Sequence, residues 1–115
     1  SSGMYNSEIK AISYEIIAMK EQQQTMQLMA RQMATEKLAM FNFEKLQYFN
    51  YRDSIVPAYK SNYEVSLLAY RQNTGNFFVL LDAWEMFLMS QIEMLNKADS
   101  ALQMQTQYEY EMQIQ

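Results

Sequence analysis

Arg71-Gln72-Asn73-Thr74-Gly75-Asn76 is the stretch on which the fold turns. It is polar, and it holds the only glycine outside Ser1-Ser2-Gly3, a triplet that reads as a tag remnant ahead of Met4. Asn and Gly enter the left-handed backbone region most readily, and that region is the usual way to end a helix. Thr74 or Asn76 can then cap a following helix by accepting a bond from one of its first N–H groups. The tip of a hairpin is therefore placed at residues 72–76.

Beyond the tip the pattern is helical. Leu81, Leu88, Leu95 and Leu102 recur every seven residues, with Phe77, Trp84 and Ala98 four residues ahead of three of them. This is a heptad seam interrupted once, at Gln91. A second row, Leu80, Phe87, Met94, Ala101 and Tyr108, runs beside it, so the apolar stripe is wide enough for more than one neighbour. Helix is expected over about 76–113, roughly 55–60 Å of rod.

Ahead of the tip one helical pattern runs back to about residue 6. Ile12, Met19, Met26, Met33 and Met40 fall every seven residues. Nearer the tip the rows are Phe49, Val56, Tyr63, Tyr70 and Phe41, Tyr48, Ile55. A helix over about 6–71 would be roughly 100 Å long. Pro57 lacks a backbone donor and its ring clashes with the preceding turn, so a kink is expected near 53–57, with a full break as the alternative. The arms are unequal. Folding back at 73–74 sets Gln115 opposite about residue 32, which leaves Ile9, Ile12, Ile16, Ile17, Met19, Met26 and Met29 without an intrachain partner. Burying each such side chain is worth roughly 1.5–3 kcal/mol. The first third must pack on another chain, or the chain must fold as three helices.

Composition excludes much else. Pro57 and Gly75 are the only strong breakers after residue 3, where average usage gives about 13 in a chain of this length. Sandwiches and Rossmann-type sheets need many tight turns and are excluded. Half the residues are hydrophobic, which argues against disorder. No run approaches the roughly 18 apolar residues of a membrane span, and neither a signal peptide nor a lipidation cysteine is read. With no His and no Cys, the commonest metal ligand, general base and thiol nucleophile are missing. Carboxylate pairs such as Asp53 with Glu44, or Asp82 with Glu85, sit on exposed or mixed helix faces, so no enzyme is expected. The net charge of −4 argues against a nucleic-acid partner. Soft thioethers suit Cu(I), but consecutive members of the Met ladder lie about 10.5 Å apart. The closer pairs Met26/Met29, Met29/Met33 and Met86/Met89 have no third ligand at hand. Neither a metal nor another cofactor is expected.

Ile55-Val56-Pro57-Ala58, followed by Ala69-Tyr70, Phe77 and Leu80-Leu81-Asp82-Ala83, resembles the TolC-like outer-membrane efflux channel family, and within it the CusC-type channels of tripartite pumps. That family shows Ile-x-Pro-x-Ala about a dozen residues before an Ala-Tyr, then Tyr-x-x-Gly-x-x-x-Phe-x-x-Leu-Leu-Asp-Ala. The likeness covers residues 55–105 and is generic before 50. Asn73 stands where the family has glycine, and tolerates the same left-handed geometry. Some members close the channel with an Arg and an Asp at the positions of Gly75 and Val79; only Tyr70 and Asp82 keep that pattern here.

The resemblance implies a trimer anchored by a β-barrel in the outer membrane, with long helical hairpins forming a tunnel across the periplasm. The tips dock a periplasmic adaptor protein. This chain would be the second hairpin, without its barrel strands, self-associating in the periplasm and making no membrane contact itself. Asn73, Thr74 and Gly75 become the expected adaptor-binding tip, against a reading as plain turn chemistry. Tyr70, Arg71 and Asp82 are candidates for a tip network, against a reading as solvated residues beside a turn. The expected fold is all-α, a long antiparallel hairpin. The alternative is a free-standing coiled-coil interaction protein; an adaptor's own hairpin lacks a matching tip motif.

Overall fold

The structure, a computed structural model, describes residues 2–113. Helix α1 spans Ser2–Asn50, a π-helical turn follows at Tyr51–Ile55, and α2 spans Val56–Arg71; after the tip, α3 spans Phe77–Gln113. The long axis measures 104 Å and the two short axes 20 and 13 Å, the section of two helices side by side. A straight helix from residue 2 to 71 would be about 105 Å long, so helix one runs the full length without a large bend. Its radius of gyration is 28.6 Å, against about 13 Å for a compact domain of this length.

The irregularity expected near Pro57 takes the form of the π-helical turn. Val56 N–H donates to Tyr51 O, five residues back, and Pro57 becomes the second residue of α2, where its missing donor matters least. The turn also inserts one residue into the packing repeat. Before it, the residues of helix one turned to α3 are Ala34, Lys37, Phe41, Glu44, Tyr48, Tyr51 and Ile55, in strict 3–4 alternation. After it come Tyr59, Tyr63 and Ser66, each one position later than the repeat requires. A π turn absorbs such an extra residue without breaking the rod.

On α3 the seam is Leu80, Ala83, Phe87, Ser90, Met94 and Lys97, continued by Ala101, Met104, Tyr108 and Glu111. The Leu80 row faces helix one, and the Leu81 row points outward, Leu95 and Leu102 being 61% exposed. The reason is steric. Ala83, Ser90 and Ala101 are buried in the seam, and small residues there let two helices approach closely, as Ala34 does from the other side. Tyr63 stacks on Phe87 at 5.9 Å, and Lys97 lies 3.9 Å from Glu44 across the seam. Near its end α3 meets α1 where Tyr108 and Met112 share a groove with Arg31, Ala34 and Leu38. The seam accounts for residues 30–113. Residues 2–29 of α1 are exposed throughout. Among the described residues no helix is long and apolar enough to cross a membrane.

Candidate functional site: the hairpin tip

The tip is built around one carbonyl. Ala69 O accepts from Thr74 N at 2.9 Å, Gly75 N at 3.0 Å and Thr74 Oγ1 at 3.1 Å. Gln72 N donates to Leu68 O and Asn73 N to Tyr70 O, so the closing carbonyls of α2 are engaged by the turn that follows. Arg71 lies in the last turn of α2, where positive charge complements the helix dipole. Asn76 then caps α3: its Oδ1 accepts from Phe78 N at 2.7 Å, and its backbone O from Leu80 N at 3.1 Å.

Asn73 and Gly75 have different duties. Asn73 takes the left-handed conformation, with φ 57°. Gly75 has no positive φ. A Cβ there would lie 3.0 Å from both Ala69 Cβ and Tyr70 N and 3.1 Å from Ala69 C. Gly75 is thus glycine because the chain passes against the last turn of α2. Thr74, between them, spends its hydroxyl on Ala69 O and does not cap α3.

Among the described residues no side-chain hydrogen bond or ion pair joins Tyr70, Arg71 and Asp82. Tyr70 packs its ring on Phe77 at 6.0 Å, and Phe77 meets Phe78 edge-on at 6.0 Å. Phe78 is 74% exposed although its N–H is held by the cap. This aromatic step at the rod's end was not singled out from the sequence. The signal was available: consecutive aromatics after a cap sit about 100° apart on the helix, so both cannot face the seam.

A second feature lies at the π turn. A groove of about 550 Å³ runs beside it, walled by Tyr51, Ser54 and Tyr59 on one side and Met86, Met89 and Glu93 on the other. Arg52 Nε donates to Asp53 Oδ1 at 2.8 Å and its Nη2 to Oδ2 at 3.1 Å, and the guanidinium lies over Phe49 at 4.7 Å. The hydrogen bond from Arg52 holds the Asp53 carboxyl below its ordinary value and raises the guanidinium in turn. Among the described residues no three acidic, His or Cys side chains are grouped to hold a metal ion.

No protein family, curated protein or solved structure matches the chain.

Proposed function

We propose that this hairpin is a stave of the periplasmic tunnel of a TolC-like outer-membrane efflux channel, with its tip as the docking point for a periplasmic adaptor. The observation that carries the reading is the tip itself. A short turn, cross-bonded at Ala69 O, closes a rod 104 Å long and carries the Tyr70 to Ala83 pattern of that family. Apolar rows outside the intrachain seam support it, because a stave in a tube must meet a neighbour on each flank. Among the described residues the side chains of Tyr70, Arg71 and Asp82 have no polar partner, which leaves them for contacts between neighbouring staves.

The chain has no cysteine, so a cysteine in place of Thr74 in the full-length channel is a clean probe. A thiol crosslinker is expected to join it to the hairpin tip of the adaptor. A channel that assembles and yields no crosslink overturns the docking role. Tyr70→Phe combined with Asp82→Asn is expected to raise conductance; unchanged conductance removes these residues from channel closure.

A further inference from the structure

We infer that residues 2–33 of α1 form a self-complementary face that pairs antiparallel with the same segment of a second copy of this chain. The first observation is area. The chain exposes 9040 Å², whereas a compact monomer of its 13.7 kDa would expose about 6,600 Å². The excess is spread over the whole rod, and residues 2–29, exposed throughout, carry part of it; a stable complex takes roughly 800 Å² from each partner.

The second observation is pattern. From Tyr5 to Met33 a 3–4 repeat of apolar residues runs with one polar interruption, at Gln23, and Ile9, Ile12, Ile16, Met19 and Met26 are 43–62% exposed. The stripe shares its row Ile9, Ile16, Gln23 and Ala30 with Lys37 and Glu44 of the face that α1 gives to α3, while its other row, Ile12, Met19, Met26 and Met33, lies on the opposite flank of that row from Ala34 and Phe41, so it continues the α3-facing side of the helix with a shift of one row.

The third observation is register. An antiparallel pair sets one row of the repeat against the other row of its mate. Here a single alignment, with residue numbers summing to 35, does this along the whole segment. Its layers are Tyr5 with Ala30, Ile9 with Met26, Ile12 with Gln23, and Ile16 with Met19, each occurring twice about a two-fold axis. Large meets small at the ends, and aliphatic meets aliphatic at the centre. On the flanks Glu8 faces Met29, Glu15 faces Gln22 and Lys20 faces Ser13, so no like charges oppose each other. The mate's helix starts opposite residue 33, at the end of α3, where Met112 lies beside Arg31, so the two end layers border on α3. The pairing is isologous and closes at two copies.

This inference does not rest on the channel reading. Side-by-side staves keep their tips together, whereas paired overhangs send the tips to opposite ends. Equilibrium sedimentation of the whole chain is expected to give twice the monomer mass, and X-ray scattering a longest dimension of about 170 Å. A monomer at high concentration, or a dimer no longer than a single hairpin, overturns the proposal. Ile16→Lys is expected to give a helical monomer, and Leu88→Lys, outside the face, to leave the dimer intact; the reverse outcome places the interface elsewhere. Mixing the Ile16→Lys chain with a Met19→Glu chain is expected to restore a mixed dimer, since the two meet in one layer. No mixed dimer overturns the register.

Discussion

Two residues two apart in sequence, Asn73 and Gly75, show how finely the tip divides its work. Asn73 supplies the left-handed residue; Gly75 supplies room against Ala69 and Tyr70. Gly75→Ala is expected to destabilise the chain by about 1–3 kcal/mol, the usual range for overpacking against atoms that cannot yield. Asn73→Gly is expected to be neutral or to raise the melting temperature slightly, because glycine reaches positive φ without strain. Thermal melts followed by circular dichroism decide the matter, and the opposite ranking would show that the two roles are misassigned. That a turn falls at 72–76 was legible from Asn-Thr-Gly alone. Which residue bends and which makes way was not, because the second duty arises from a neighbour in space. At the π turn, Asp53 is expected to titrate below free aspartate in a carbon-13 NMR titration. Arg52→Gln is expected to move that midpoint up. The sign follows from the pairing: a depressed carboxyl favours the folded pair above its unfolded value, and the benefit goes as pH falls through the folded value. Both groups are exposed to solvent, so the readout is the titration and not the melting temperature.

At the level of elements, the sequence pattern revealed two apolar rows on α3 but not which one meets helix one. Periodicity reports that a stripe is buried against something; it does not name the partner. The deciding residues are the small ones, Ala83, Ser90 and Ala101, which a search for large apolar residues passes over. Pro57 was legible as an irregularity. Its form was not, because a π turn is a change of phase and becomes visible only once the facing residues are known. The phase argument makes a prediction. Deleting Ser54 together with Pro57→Ala turns the π segment into ordinary α-helix and leaves Tyr59 and Tyr63 on the seam. That variant is expected to melt within a few degrees of the parent. Deleting Asn62 rotates one side of the seam by about 100° relative to the other. It is expected to lose several kcal/mol, since two or more seam side chains at roughly 1.5–3 kcal/mol each leave the contact. Equal melting temperatures for the two deletions would mean that the π turn carries no phase information.

The molecule as a whole is a rod that leaves apolar rows on its outer faces as well as in its seam. The unequal arms were legible by counting from the tip, because a hairpin's register follows from its turn: the count put Gln115 near residue 32, and Met112 lies beside Arg31 and Ala34. What covers the Leu81 row was not legible, since that information lies in other molecules. The row separates folding from assembly. Leu95 and Leu102 are each 61% exposed, and substitutions at such positions usually change stability by no more than about 0.5 kcal/mol. Leu95→Asp with Leu102→Asp is therefore expected to leave the helicity and melting of this chain unchanged. If the hairpin is a tunnel stave, the same double change in the full-length channel desolvates two carboxylates between neighbouring staves. It is expected to cut the yield of trimer sharply, because a buried unpaired charge costs several kcal/mol. The two measurements check each other. A lost hairpin would mean that the Leu81 row supports the fold after all, and an intact hairpin with normal trimer yield would mean that this face meets only water in the assembled channel.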